Sequence, residues 1–305
     1  MKRTSHSVKL LLFSLPSTGG EAAGELENKS SKLAVPAERV IERRRRGIAG
    51  YRAATIPLFA TLFVVQAYAA ARTGIRHRPI SMATADLRAA SEATIADYAA
   101  RAEAYALGSL DHDVSQNIDA LLAPLKDRPA PLDILDLCCA GGRDLVAFTK
   151  LGHRPIGLDG VSAFCEMAAA RSGCEVWQQD LQQLDLPLER FDGIFANACL
   201  FHVPSATLPA TLRALHGALK PGGVLFVSNA HGFGEDREGW TQGRTPTTRS
   251  YVTWLSEETW VSTCRAAGLE LVELFYRPPG KPRAQQPFLA TVWRRAEHDD
   301  AHSAS

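Results

Sequence analysis

The sequence predicts an α/β protein: a mostly parallel, doubly wound sheet with helices on both faces, finished by an antiparallel strand pair and preceded by a helical cap. Three observations carry this. Between residues 132 and 229, short apolar runs alternate with helical segments, the rhythm of βαβ units. Near the C-terminus, LELVELFYR (269–277) and PFLATVWRR (287–295) are joined by PPGKPRAQQ, too short for a crossover helix, so the two strands pair antiparallel. In front of the core, Thr84 to about Leu122 is rich in Ala, Glu and Arg, with apolar residues at helical spacing.

The elements follow in order. Gly108 and SLDHD break the leading helical stretch, with Asp113 or Ser115 as the next helix cap. Strands are expected at 132–138, 154–159, 174–179, 191–198 and 223–229, and helices at 142–151, 162–171 and 206–219. Gly152, Gly173 and the Pro-Gly-Gly at 221–223 stop those helices. Ser256 caps EETWVSTCRAA and Gly268 ends it. The segment 230–253 is long, polar and punctuated by aromatics, which predicts a lid or substrate-binding loop.

Charge divides the chain. Residues 1–81 hold 14 Lys/Arg against 5 Asp/Glu, a net of +9, inside a total of +1, so the remainder carries −8. Residues 1–50 lack a lasting period and end in Arg43–Arg46, which predicts disorder. The apolar IPLFATLFVVQAYAAA (56–71) contains Pro57 and Gln66 and is shorter than the ~20 residues of a membrane span. Residues 1–81 are therefore expected to be a disordered basic extension, either dispensable or serving as a targeting or anchoring segment. Residues 82–296 form the main domain and 297–305 a disordered tail.

The acidic main domain argues against nucleic acid as partner and points to a small molecule. The six cysteines form no CxxC pair and lie mostly in apolar segments. They read as buried hydrophobes of a reducing compartment, hence a cytoplasmic protein, with an organellar or membrane-associated location through residues 1–81 as the alternative. No stable membrane insertion of the main domain is expected. Nor is a metal, because Asp111, His112 and Asp113 are adjacent on a turn and do not converge on one ion.

The chemistry-bearing residues cluster at strand ends. LDLCCAGGRD (135–144) runs from strand through turn to helix, where Gly141 and Gly142 allow backbone amides to approach a cofactor. Asp159 ends the second strand, 23 residues after Asp136, the spacing at which a carboxylate meets a ribose diol; capping the next helix is its other reading. His202 follows the fourth strand, placed to take a proton from an attacking O, N or S nucleophile. Tyr98 and Tyr105 lie seven apart on one helix face, over the cofactor. His231, Trp240, Arg244 and Tyr251, with Tyr276, Arg277 and Arg283, are the substrate-side candidates.

Residues 86–295 resemble the class I S-adenosylmethionine-dependent methyltransferases of small-molecule type. The resemblance rests on DLCCAGGRD, GLDG, QQDL, FDGIFANACLFHVP, LKPGG and the tail YRPPGKPRAQQPFLATVWRR. It implies a seven-stranded sheet with an antiparallel last strand, S-adenosylmethionine as cofactor, and methyl transfer to a small molecule. It also implies a cofactor site including Asp136, Cys138, Ala140, Gly142 and Arg143 in the first turn, Asp180 on the adenine amino group, a Leu181 backbone amide, and Asn197 beneath the methyl donor. The family run is D-x-G-x-G-x-G, and here Cys138 and Ala140 replace two of its glycines. Both are small, and alanine is tolerated wherever φ stays negative, so the turn is expected to be crowded but open. Two alternatives stand beside this: a non-catalytic cofactor-binding protein, suggested by Cys138 and Ala140, and a nicotinamide-dependent oxidoreductase. The latter is disfavoured by the lack of a G-x-G-x-x-G and by the antiparallel ending.

Overall fold

Three of the parallel strands, Asp133–Leu137, Arg154–Asp159 and Phe191–Asn197, are buried along nearly their whole length, which is why they read as apolar runs in the sequence, whereas the edge strand Val176–Gln178 is only partly buried. The structure, a computed structural model, describes residues 84–297. The expected extension over 1–81 and the tail beyond Glu297 lie outside the described residues. Among the described residues no helix is long and apolar enough to cross a membrane.

Three helices lead: α1 (Thr84–Ala99), α2 (Ala102–Gly108) and α3 (Ser115–Leu122). The N-cap position of α3 is Val114, and the Asp113 carboxylate accepts the Ser115 N–H at 2.9 Å. Then come β1 (Asp133–Leu137), α4 (Arg143–Lys150), β2 (Arg154–Asp159), α5 (Ser162–Ser172), β3 (Val176–Gln178), β4 (Phe191–Asn197), α6 (Leu208–Ala218) and β5 (Leu219–Ala230). The chain closes with β6 (Arg237–Gln242), β7 (Arg249–Trp254), α7 (Glu257–Ala266), β8 (Leu269–Arg277) and β9 (Phe288–Arg295). Seven strands form one sheet in the order β3-β2-β1-β4-β5-β9-β8, with β9 antiparallel to both neighbours and the first five parallel. The order reverses between β1 and β4, the position at which open α/β sheets bind ligands.

Alternate residues of each strand face opposite layers. Leu135, Leu137, Ile194, Leu225 and Val227 pack with Leu212 and Leu215 of α6 and Trp260 and Cys264 of α7. Ile134, Phe195, Phe226 and Val292 pack on the other side with Ile118 and Leu121 of α3 and Phe148 of α4. At the N-terminal ends of the strands, Asp133 and Asp192 gather Arg154, Arg190, Lys220 and Arg128 within 3.0 Å. Several cations thus stand at the edge opposite the loops that follow the parallel strands.

One expectation is corrected. Residues 230–253 are not an irregular loop: β6 and β7 pair antiparallel as a separate two-stranded hairpin, from Arg237 opposite Trp254 to Gln242 opposite Arg249. The β-favouring REGWTQ and RSYVTW supply the strands, and β7 is buried beyond its first residue.

Candidate active site

Beyond the C-terminal ends of β1, β2 and β4 lies a cavity, open at its mouth, at the place where open α/β sheets bind small molecules. Cys138, Ala140, Asp159, Asp180, Leu181, Asn197, Tyr98, Tyr105 and His202 all line it, as the sequence suggested. Ser91, Thr94 and Ile95 of α1, with Phe164 of α5, are among the further lining residues and were not singled out in the sequence.

The first turn carries left-handed backbone at three places, with φ of 60° at Cys138, 45° at Ala140 and 79° at Gly142. The tolerance argued for Ala140 assumed negative φ, and this is corrected: both replacements occupy the region that glycine favours, where a Cβ atom carries strain. Gly142 serves packing. A Cβ there would stand 2.8 Å from the Ala168 Cα, so α4 and α5 approach closely only because it has none. A hydrogen bond involving the Cys199 side chain, followed by burial, pushes the Cys138 thiol well above its ordinary pKa, leaving a neutral group on the wall.

Asp159 is not the cap of the next helix, whose N-cap position is Val161 with no side-chain cap bond. Its Oδ2 accepts the Ala140 N–H at 3.0 Å and its Oδ1 the Val161 N–H at 2.9 Å, so it ties the two turns together at the cavity floor. A carboxylate offers about four lone-pair positions, which leaves capacity for a ligand hydroxyl. Burial raises its pKa to about 6, against backbone hydrogen bonds from Val161, Ala140 and Gly160. Asp180 accepts the Ser91 hydroxyl at 2.7 Å and the Gln182 N–H at 2.9 Å, fastening α1 to the loop after β3. Asn197 accepts an N–H of Asn117 at 2.9 Å, from a side chain fully buried in α3.

Other candidates do not line the cavity. Asp136 is buried beneath the turn, and burial, followed by Asp144, pushes its pKa well up. Arg143 is engaged elsewhere: it grips Asp144 with two nitrogens at 2.7 and 2.8 Å and donates to the Ser109 carbonyl at 2.8 Å, locking the end of α2 to the turn. His231, Arg283 and Tyr276 form their own cluster, with the Arg283 guanidinium 3.3 Å from the Tyr276 ring centre. Burial lowers the pKa of His231 to about 4. Arg244 stacks 3.3 Å from the Tyr98 ring centre and donates to Asp97, so it braces the wall from behind. Tyr251 contributes its backbone to the site rather than its ring.

The residue that sequence reasoning missed is Asp97. Fully buried in α1, it accepts at 2.5 Å each from the Arg244 N–H, the Arg244 guanidinium, the Thr248 hydroxyl and the Ser250 hydroxyl. Burial opposes its charge, yet bonds from Ser250, Thr248 and Arg244 outweigh it and hold its pKa below the ordinary carboxylate value. Together with the bond from the Tyr251 N–H to Thr94 Oγ1 at 3.0 Å, this clamps the hairpin onto α1.

A family model described as a methyltransferase domain matches residues 108–274. An uncharacterised methyltransferase of Synechocystis sp. is 30% identical over 100 residues, covering 32% of this chain and 47% of that protein. A ubiquinone biosynthesis O-methyltransferase of Xanthomonas axonopodis pv. citri is 33% identical over 106 residues, covering 33% of this chain and 44% of that protein. The chain thus spans a little under half the length of these curated relatives. A Burkholderia thailandensis 1,6-didemethyltoxoflavin-N1-methyltransferase, solved with 1,6-didemethyltoxoflavin and S-adenosylhomocysteine, superposes with a TM-score of 0.57 at 22% identity, over 72% of this chain and 93% of that one. The DhpI–S-adenosylhomocysteine complex gives 0.53 at 23%, over 69% and 99%. At these identities the structural likeness is one of fold.

Proposed function

Because the chain belongs to the methyltransferase domain family, we propose that it moves the methyl group of S-adenosylmethionine to a small-molecule nucleophile bound in the same cavity. One observation carries the choice of cofactor: among the described residues the cavity wall holds two carboxylates, Asp159 and Asp180, and neither Lys nor Arg. A wall whose charges are carboxylates favours a cofactor that carries a sulfonium cation over one that carries a doubly charged pyrophosphate. A ligand with a sulfonium centre, a ribose diol and an adenine amino group meets acceptors that suit it.

On this reading Asp159 takes the ribose hydroxyls, Asp180 the adenine amino group, and Leu181 supplies a backbone amide. The turn from Cys138 to Gly142 faces the methionine end, and Asn197 lies under the methyl group. The cofactor supplies an activated methyl, which the nucleophile takes in line as the carbon–sulfur bond breaks. The chain's own part is to hold both partners in register and exclude water, through α1, the hairpin and the 3₁₀ turn Leu200–His202. The likeness to ubiquinone biosynthesis O-methyltransferases supports a small-molecule acceptor.

Calorimetric titration of the full chain with S-adenosylhomocysteine and with NADH tests the reading. Binding of the first and not the second is expected, and the reverse would overturn it. Release of S-adenosylhomocysteine in the presence of a metabolite panel then separates an enzyme from a cofactor-binding protein.

A further inference from the structure

His202 is held on both ring nitrogens. Nδ1 lies 2.9 Å from the Tyr251 carbonyl oxygen, and Nε2 lies 2.9 Å from the Tyr98 hydroxyl. A carbonyl only accepts, so Nδ1 must carry the proton of the neutral ring, and Nε2 is left with a lone pair. The Tyr98 hydroxyl must then donate its single proton to Nε2. The ring is neutral near pH 7, because burial first and the Arg244 charge after it lower its pKa to about 4, against the Tyr251 hydrogen bond and the Asp97 charge. Tyr98 has little freedom to turn away. Its ring meets His202 edge-on at 5.4 Å and Tyr105 at 5.3 Å, and Arg244, locked by Asp97, covers it.

The consequence is chemical. With its proton committed to His202, the Tyr98 oxygen offers only lone pairs to any ligand in the cavity. We propose, resting on the methyltransferase reading, that Tyr98 orients the methyl acceptor by accepting a hydrogen bond from its O–H or N–H. His202 is then a positioning residue that acts through Tyr98. Acceptors selected this way are neutral and carry a donor at or beside the nucleophilic atom. Carboxylate and phosphate nucleophiles are disfavoured twice, since they bring no donor and the described residues of the wall include no cation to receive them. The cavity end bounded by Tyr98, His202, Asn197 and Cys199 is otherwise uncharged, which fits such a ligand.

Two measurements on the full chain decide it. The first needs no ligand. Nitrogen NMR of the histidine-labelled protein should show the His202 ring protonated at Nδ1, with an Nε2 resonance that moves on Tyr98→Phe; protonation at Nε2 instead would overturn the proposal. The second uses probes: small phenols and anilines, each paired with its O- or N-methylated counterpart, titrated with S-adenosylhomocysteine present. Donor-bearing members should bind about tenfold tighter than their methylated partners, the scale of one hydrogen bond, and Tyr98→Phe should erase that ratio. His202→Phe, which frees the Tyr98 proton, should narrow the ratio without removing the phenolic oxygen. A ratio unchanged by Tyr98→Phe, or no donor-dependent binding across the panel, would also overturn it. A wild-type chain that does not bind S-adenosylhomocysteine strikes the cofactor reading instead, and the nitrogen spectra still report on Tyr98.

Discussion

The cavity has two walls built by different means. The sheet-side wall is made by strand ends and the turns that follow them, held by backbone hydrogen bonds to Asp159 from residues no more than 19 positions away. The cap-side wall is made by α1, the 3₁₀ turn and the hairpin, held by side-chain bonds between residues 49 to 157 positions apart. A wall of the first kind is inherited with the fold, because any chain that forms βαβ units at a switch point presents it. A wall of the second kind belongs to this chain and is where acceptor choice can reside.

If that division holds, the largest effect on stability should come from the cap side. Asp97→Ala removes the carboxylate that Arg244, Thr248 and Ser250 share, inside a fully buried site. Breaking a buried ion pair from one side costs about 3–5 kcal/mol, so denaturant unfolding should show a loss of that size. A cost below about 1 kcal/mol, the scale of an exposed pair, would mean that the hairpin is held by its apolar contacts instead.

On the sheet side the sensitive point is steric. Gly142→Ala places a methyl against the Ala168 backbone at a φ of 79°, and both strain and overpacking act together. Each is worth about 1–3 kcal/mol, and displacement of α4 from α5 relieves part of their sum, so a loss of roughly 2–4 kcal/mol in the same unfolding measurement is expected.

The sequence made these walls unequally legible. LDLCCAGGRD, GLDG and QQDL are local patterns, and each brought part of itself to the cavity, through Cys138 and Ala140, Asp159, and Asp180 with Leu181, because a strand end and its turn are contiguous in the chain. Asp97 gave no such signal: one aspartate in an Ala-rich helix looks solvent-facing until the partners at 244, 248 and 250 are known. The hairpin was hidden by Gly239 and Gly243 and by its polar content, which masked the alternation in RSYVTW. For Arg143, position was right and role was not, since a side chain beside Asp144 is captured by it. At Cys138 and Ala140, residue size could be read but the sign of φ could not.

Asp159 lets the two functions of the sheet-side wall be separated by pH. Its pKa is raised to about 6 in the folded chain, against about 3.9 when unfolded. The folded state therefore holds its proton more tightly, and the contribution of Asp159 to stability grows as pH falls from about 6 to about 4. Cofactor binding should move the other way, because hydroxyl groups donate best to the ionised carboxylate. Asp159→Asn should weaken S-adenosylhomocysteine binding by about 1.5–3 kcal/mol and flatten both pH trends relative to wild type. Parallel trends in wild type would place the ligand away from Asp159.

The smallest effect, at Ala140, bears on whether the replaced glycines mark a degraded site. At φ of 45° the alanine carries strain on the order of 1 kcal/mol, and glycine would remove it while adding about 0.4–1 kcal/mol of freedom to the unfolded chain. Ala140→Gly should therefore leave the unfolding midpoint between unchanged and slightly raised, with cofactor affinity equal or tighter. Ala140→Val sharpens the contrast, because a branched side chain is poorly tolerated at positive φ and this position lines the cavity. Loss of both stability and binding is expected for it. Restoration of binding by Ala140→Gly from a wild type that has none would make the natural turn a blocked one. Equal binding by wild type and the glycine variant shows a family turn that carries two small side chains and still admits its ligand.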